Sequence, residues 1–515
     1  MVPSMAITRR RLVRNGLGAG IALAGAGPRL LPALADEARR KSRPGYALGF
    51  RSLTDEIRLP DVPVDGRVPR WLRGVLLRNG PALFEIGEQR LDHWFDGLAM
   101  LHGFAFADGR VSYANRFLRS SAYRAWRREG VMKYSEFGTD PDPDPDPCRR
   151  MFSGVSTLPV LGRIPNANVS IERLAGQFRA HTELPMPVRF DKRTLRTLGI
   201  DGTLPTGRLG TAHPHHDPRT GERFSYELDL VPPSGLRVLS ERGGRRRELA
   251  FIPQDRPGYL HSFGLTDRYV VLHTQPWEFD LGRFLGPDRG PIATSFVWDG
   301  SRPSLLILVD RRRGGVAGSF ELEPSFVFHH INAFDDGDRV VIDVCAHRDS
   351  SIVDAMYLKN MRKRGARVPQ ATPRRLTVKP GSSRVRQRDL AEGNFELPRT
   401  DYAAVNGRRY RYAYGVGLRR PSNGGFIDRI TKLDTKRGER EHWHDRGAYP
   451  GEAVFVRRPG GRREDDGVLL SVVLDGAQRT SYLLVLDARD MSELARAAVP
   501  HHIPFGFHGL HTARR

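Results

Sequence analysis

From about residue 45 to its end, this 515-residue chain is a succession of short β-rich runs closed off by Gly, Pro or Asp. Arg110-Val111-Ser112-Tyr113, Arg223-Phe224-Ser225-Tyr226-Glu227-Leu228, Tyr269-Val270-Val271-Leu272, Leu305-Leu306-Ile307-Leu308-Val309, Arg339-Val340-Val341-Ile342-Asp343-Val344, Val468-Leu469-Leu470-Ser471-Val472-Val473-Leu474 and Tyr482-Leu483-Leu484-Val485-Leu486 are strand-sized. Asp108-Gly109, Asp466-Gly467 and Asp217-Pro218-Arg219-Thr220-Gly221 mark turns between antiparallel neighbours. Long amphipathic helices are absent, with a modest candidate over 354–364. No Pro-rich linker divides the series, and propellers of several hundred residues form one compact unit. The pattern predicts an all-β chain closed as one multi-bladed propeller. A pair of β-sandwiches is the alternative, and no clean repeat of blade length decides between them.

Hydrophobic residues make up 39% and charged residues 27%, with 54 Gly and 37 Pro, which excludes a disordered or fibrous chain. The longest apolar candidate, residues 16–27, is far short of the roughly 18 to 20 residues a spanning helix needs. The net charge is +23, but the basic residues are scattered, with only short runs such as Arg245-Arg246-Arg247 and Arg311-Arg312-Arg313. No nucleic-acid partner is expected, whereas attraction to anionic lipid headgroups is consistent with that surface. Cys148 and Cys345 are the two cysteines, too few for a disulfide framework or a cysteine zinc site. Any metal must be held by His, Asp or Glu.

Residues 1–35 read as an address. Thr8-Arg9-Arg10-Arg11-Leu12-Val13-Arg14 precedes a mildly apolar stretch and then Ala33-Leu34-Ala35, the order of a twin-arginine export signal with its cleavage site. Removing its five arginines takes the net charge from +23 to +18. The folded domain is expected over 36–515, in a periplasmic or extracellular setting. Asp140-Pro141-Asp142-Pro143-Asp144-Pro145-Asp146-Pro147 cannot pair in a sheet and is a loop. Beyond it, residues 151–161, from Met151-Phe152-Ser153 to Pro159-Val160-Leu161, are apolar and follow Cys148-Arg149-Arg150. They suit either peripheral contact with a membrane or a packed loop.

Seventeen histidines are present, and four stand among apolar or small residues at strand ends. They are His213 in Thr211-Ala212-His213-Pro214-His215, His261 in Tyr259-Leu260-His261-Ser262-Phe263, His329 in Phe328-His329-His330-Ile331-Asn332, and His508 in Phe505-Gly506-Phe507-His508-Gly509. Each alone suits a hydrogen-bonded core histidine; together they need a fold that converges on one point, as a propeller axis does. Neighbouring side chains on a strand face opposite ways, so only one of His329 and His330 faces the axis. Alternation leaves His213 and His215 undecided.

Between about Leu77 and Leu510 the chain resembles the carotenoid cleavage oxygenases, most closely the branch with the animal β-carotene-cleaving enzymes and the retinoid isomerase. The resemblance rests on Arg78-Asn79-Gly80-Pro81-Ala82-Leu83-Phe84-Glu85, His93-Trp94-Phe95-Asp96-Gly97, Glu136-Phe137-Gly138-Thr139, Tyr410-Arg411-Tyr412-Ala413-Tyr414-Gly415, Glu464-Asp465-Asp466-Gly467-Val468 and the four histidine contexts. It implies a single seven-bladed β-propeller with one non-haem Fe(II) on its axis, held by His213, His261, His329 and His508. It also implies that Glu183, Glu396 and Glu452 each accept a hydrogen bond from a ligand histidine and fix its tautomer.

Four neutral imidazoles leave an octahedral metal two open positions, unlike the arrangement of two histidines and one carboxylate, so no 2-oxoglutarate is implied. With dioxygen, an electron-rich polyene is split into two carbonyl fragments without a protein nucleophile or general base, and position along an apolar tunnel selects the bond. The resemblance therefore implies a dioxygenase acting on a carotenoid or apocarotenoid. Rivals are a stilbene-cleaving enzyme, with Lys133 and Tyr134 in a suggestive region, a retinyl-ester isomerohydrolase, and a carotenoid-binding protein without turnover. No G-x-S-x-G, P-loop or HExxH competes.

Overall fold

The computed structural model describes residues 45–141, 164–201, 208–286 and 290–513. The chain divides into two units, Met1–Pro44 and Gly45–Arg515. The signal expected over 1–35 and the apolar stretch over 151–161 lie outside the described residues.

The second unit is an all-β, seven-bladed propeller, and the two-sandwich alternative is excluded. Blade 1 runs from outer to inner edge as Arg58–Leu59, Arg110–Phe117, Leu98–Ala107, Gly74–Leu83 and Gly509–Thr512. Blade 2 is Thr197–Ile200, Val188–Phe190, Gln177–His181 and Ser170–Leu174. Blade 3 is Arg245–Pro253, Gly235–Arg242 and Arg223–Asp229, with Arg208–Gly210 and His215–His216 sharing the inner edge. Blade 4 is Val316–Leu322, Ser304–Asp310, Tyr269–Thr274 and Gly264–Leu265. Blade 5 is Val385–Asp389, Thr372–Val378, Arg339–His347 and Phe326–Asp336; blade 6 is Arg440–Trp443, Arg429–Asp434, Tyr412–Gly417 and Glu396–Arg399. Blade 7 is Val64–Gly66, Glu493–Val499, Thr480–Asp487 and Gly467–Asp475, its inner edge shared by Ala448–Pro450 and Val454–Arg457.

The chain ends close the ring twice. The C-terminal strand pairs into blade 1, Arg78 opposite Gly509 and Val75 opposite Thr512, and the N-terminal Val64–Gly66 pairs with the outer side of blade 7. Gly509 is required here: a Cβ would lie 2.3 Å from the Leu77 carbonyl oxygen and 2.7 Å from Arg78 Cδ.

Strand sequences explain the layering. Arg110–Phe117 alternates buried and less buried residues, as a strand with one core face does, while every residue of Tyr269–Thr274 in the middle of blade 4 is buried. The hairpin at Asp108-Gly109 forms as expected, both residues having positive φ, 53° and 84°. Apolar clusters fill most junctions, for example Phe104, Val111, Leu470, Val485 and Ala497 between blades 1 and 7. Between blades 2 and 3 sits a charged group: buried Glu172 binds His181 (2.9 Å), His216 (2.7 Å) and Arg223 (2.6 Å). Outer strands carry exposed arginines, Arg245, Arg246 and Arg247 in blade 3 and Arg386 and Arg388 in blade 5. Charge there blocks pairing with another chain, which gives part of the basic excess a structural purpose. The helix expected over 354–364 is two short turns, Ser351–Ala355 and Leu358–Met361, and a further helix, Ser121–Glu129, is capped by Ser120 and ended by left-handed Gly130. Among the described residues no helix is long and apolar enough to cross a membrane.

Candidate metal centre

Four inner edges each deliver one histidine to the axis. His213 stands in the turn between Arg208–Gly210 and His215–His216, His261 just before Gly264–Leu265, His329 within Phe326–Asp336, and His508 just before Gly509–Thr512. Their rings form a closed set: successive centroids His213–His261, His261–His329, His329–His508 and His508–His213 are 4.7, 5.1, 4.9 and 4.4 Å apart. One nitrogen of each lies within 4.8 Å of the other three, and they form the one such cluster of His, Cys, Asp or Glu among the described residues.

The ambiguities left by alternation resolve here. The pairing of Phe326–Asp336 with Arg339–His347 shifts register on both sides of His330. His329 turns to the axis, and His330 turns away to Ser262 Oγ (2.9 Å). His215 reaches the Phe263 carbonyl (2.9 Å) and the Tyr402 hydroxyl (3.1 Å), leaving the axis to His213.

Each of three histidines has its Nδ1 against a carboxylate from a different blade: His261 on Glu183 (2.6 Å), His329 on Glu396 (2.6 Å) and His508 on Glu452 (2.8 Å). A carboxylate only accepts, so each Nδ1 carries the hydrogen and each Nε2 of a neutral ring presents a lone pair. The carboxylates are themselves held. The Tyr259 hydroxyl donates to Glu183 (2.5 Å). Glu396 accepts from Leu397 N (2.6 Å) and His347 Nε2 (3.3 Å). Leu397 has φ 49°, a left-handed conformation rare for leucine, so the backbone is strained where it orients this carboxylate. Glu452 accepts from Gly509 N (2.9 Å), and the buried Arg78 guanidinium pairs with it. Among the described residues His213 has no carboxylate partner; its backbone N–H donates to Thr211 Oγ1 (2.9 Å).

Burial, then the neighbouring imidazoles, hold His213 well below its ordinary value. Burial likewise depresses His261 against the opposing pull of Glu183, and depresses His508 to about 4 against that of Glu452. Burial alone raises a carboxylate, yet His329 and His347 hold Glu396 well below the usual range, and Arg399, Arg78 and His508 do the same for Glu452. Neutral imidazoles over ionised carboxylates are the state in which a cation is best bound.

His329 Nε2 faces His508 Nε2 at 3.1 Å, and His213 Nε2 faces His261 Nε2 at 3.0 Å. For His329 and His508 both Nδ1 hydrogens are committed to carboxylates, so two lone pairs point at each other across this gap. That arrangement is repulsive unless a cation lies between them. The spacing also fits a metal: with metal–imidazole bonds of about 2.1 Å, as for zinc, right-angled neighbours lie about 3.0 Å apart and tetrahedral ones about 3.4 Å. An all-imidazole donor set of borderline softness suits a divalent first-row transition metal.

A cavity of about 230 Å³ opens beside the centre, walled largely by apolar side chains that include Trp94, Phe95, Phe137, Phe328, Phe426 and Phe507. Sequence reasoning gives none of these a role, nor Tyr259, Arg78 or His347. Lys133 and Tyr134 are not on its wall; Lys133 pairs with Glu129 at the surface.

The family model described as Retinal pigment epithelial membrane protein matches residues 50–513. A carotenoid isomerooxygenase of Galleria mellonella is 34% identical over 498 residues, covering 90% of this chain and 96% of that protein. A β,β-carotene 15,15'-dioxygenase of Homo sapiens is 30% identical over 509 residues, covering 87% and 91%. Among solved structures, a variant of the Synechocystis apocarotenoid oxygenase superposes with a TM-score of 0.80 at 26% identity, over 91% of this chain and 98% of that one. With similarity running from one end of the propeller to the other, the chain belongs to the retinal pigment epithelial membrane protein family of carotenoid cleavage oxygenases.

Proposed function

We propose that this protein is an Fe(II)-dependent dioxygenase that splits one conjugated double bond of a carotenoid or apocarotenoid into two carbonyl products, with His213, His261, His329 and His508 as the ligands of a single iron. The observation that carries the reading is the pair of facing lone pairs on His329 and His508, each fixed by a glutamate. A binding protein without turnover has no use for three carboxylates that set imidazole tautomers.

Bound at these nitrogens, a ferrous ion supplies the centre at which dioxygen and the double bond react, each alkene carbon ending with one oxygen atom and no external reductant consumed. The remaining work belongs to the chain. Glu183, Glu396 and Glu452 hold three rings in one direction and one tautomer. Arg78 keeps Glu452 ionised in a site where burial opposes charge. The aromatic wall takes a long apolar molecule out of water, at roughly 25 cal/mol for each Å² of apolar surface buried. The bond that is cut is set by where along this wall the polyene stops.

The test is product mass after iron-loaded protein meets carotenoids, apocarotenals, a retinyl ester and a hydroxystilbene under isotopically labelled dioxygen. Labelled aldehydes or ketones from a polyene are the expected result. Labelled aromatic aldehydes from the stilbene alone would move the substrate class, and a retinoid changed in geometry without label would favour isomerohydrolase chemistry. The arginine-rich leader supports twin-arginine export as the localisation, and the apolar composition of residues 151–161 after Arg149 and Arg150 supports peripheral membrane contact; fractionation of cells with and without Arg9 and Arg10 tests the first.

A further inference from the structure

Three axial histidines have their rings fixed by glutamates, and among the described residues His213 has no such partner. Its direction is set instead by the backbone that carries it. The next residue is Pro214, whose ring fixes its own φ near −65° and confines the residue before it to extended backbone. His213 is thereby coupled stiffly to His215 and His216, and a group that grips these two residues aims the imidazole of His213.

The grip comes from across the ring. The innermost strand of blade 6, Glu396–Arg399, runs away from the cavity: Glu396 pairs with Val416, which lines the cavity, and Arg399 pairs with Tyr414 toward the opposite end of the blade. A short helical turn follows, Tyr402–Val405. Blades 6 and 3 are not neighbours, so a side chain from this turn reaches blade 3 only by crossing the axis. Tyr402 does so. His215 Nε2 lies 2.9 Å from the Phe263 carbonyl, which only accepts, so Nε2 carries the hydrogen. Nδ1 of the neutral ring then accepts from the Tyr402 hydroxyl at 3.1 Å. The same hydroxyl oxygen accepts the His216 N–H at 2.9 Å. Its donor and an acceptor site are both spent on the two residues that follow Pro214. Asn406 Nδ2 adds a bond to the His216 carbonyl (2.9 Å). The segment is itself anchored, since Asp401 pairs with Arg457 of blade 7 and Asn332 of blade 5 donates to the carbonyls of Val405 (2.9 Å) and Arg408 (3.0 Å).

We propose that Tyr402 is a positioning residue of the metal centre, holding His213 on the axis through His215, His216 and Pro214. This rests on His213 being a metal ligand, as in the reading above. It gives the fourth histidine a support that acts on the main chain, where the glutamates act on the other three rings. Loss of the hydroxyl frees the His215–His216 segment and loosens one ligand bond of four.

The experiment loads metal-free wild type and Tyr402→Phe with cobalt(II), reading affinity by chelator competition and the ligand arrangement by visible absorption. The phenyl ring keeps the packing and loses both bonds of the hydroxyl. An affinity loss of about tenfold, the low end for an outer partner of a ligand histidine, is expected together with altered cobalt bands. In a His213→Ala background, which keeps the other three histidines, the same substitution is expected to cost less than about twofold, because the group it acts through is gone. An affinity within about twofold of wild type with unchanged bands overturns the proposal. A fall in the melting temperature of the metal-free form with no change at the metal overturns it too, by making Tyr402 a prop of the propeller alone. So does an equal loss of affinity with and without His213. Absence of cobalt binding by wild type overturns the metal reading itself, a result distinct from binding that is indifferent to Tyr402.

Discussion

Replacing Glu396 by glutamine tests how a second layer of side chains governs metal affinity without removing a ligand. Glu396 accepts three hydrogen bonds, from His329 Nδ1 and Leu397 N at 2.6 Å and from His347 Nε2 at 3.3 Å. The amide oxygen of Glu396→Gln retains the first two. Its NH₂ then meets the Nε2–H of His347, two donors face to face, and His347 must change tautomer or the amide must turn its NH₂ on His329. The bond to His329 also loses its charge assistance, which halves its strength, and the imidazole becomes a weaker donor to a cation. Loss of such a partner weakens metal binding by about 10- to 100-fold, or about 1.4 to 2.7 kcal/mol. The assay is a chelator competition titration of ferrous iron into metal-free protein, with melting of the metal-free form as a control on folding. An affinity within about twofold of wild type, at unchanged melting temperature, would refute the claim that the carboxylate fixes the ligand.

Other perturbations follow from the same geometry. Gly509→Ala places a Cβ 2.3 Å from the Leu77 carbonyl oxygen, so the strand that closes the ring must shift; a loss of about 1–3 kcal/mol is expected by chemical denaturation. Arg78→Met leaves Glu452 ionised and buried with Arg399 3.6 Å away as its remaining cationic partner, and is expected to cost about 3–5 kcal/mol in the same assay. Acid weakens the fold through histidines held neutral inside it. Burial depresses His93 to about 4, His102 to about 3 and His273 to about 4, all below the ordinary 6.5. Above pH 6.5 neither state binds these protons and stability is complete. As pH falls from 6.5 toward 4 the unfolded chain takes them up first, and each residue removes up to about 1.4 kcal/mol per pH unit. Denaturation midpoints measured between pH 7 and 4.5 are expected to fall steadily, and a flat profile would contradict the assignment.

Much of the fold was legible because a blade is a local object. Runs such as Tyr269–Thr274 and Thr480–Asp487 pair with neighbours close in sequence, and turn chemistry at Asp108-Gly109 states where the chain reverses. Blade number was not legible from pattern, since inner edges are irregular: two separate short strands complete blade 3 and two complete blade 7. The helix Ser121–Glu129 carried readable signals, a serine cap and a following glycine, among few apolar residues. At the site, the four histidines and three glutamates stood in motifs with ordered neighbours. Tyr259 lies two residues from His261, on the same side of an extended segment, so alternation alone could have raised it. His347 ends a strand too, but Arg348 and Asp349 follow it, so it fails the apolar-context criterion that selected the four axial histidines, and its bond to Glu396 joins blade 5 to blade 6, which no local rule reveals. The cavity wall was beyond reach for the same reason: Trp94, Phe328, Phe426 and Phe507 come from loops and edges far apart in sequence.

The most direct test of the central claim is metal analysis of protein purified with ferrous iron. Wild type is expected to hold one iron per chain, His261→Ala to hold none while melting as a folded protein in its metal-free form, and His330→Ala, which removes a ring turned toward Ser262, to hold one. Iron retained at full stoichiometry in His261→Ala, or lost in a folded His330→Ala, would contradict the assignment of the centre.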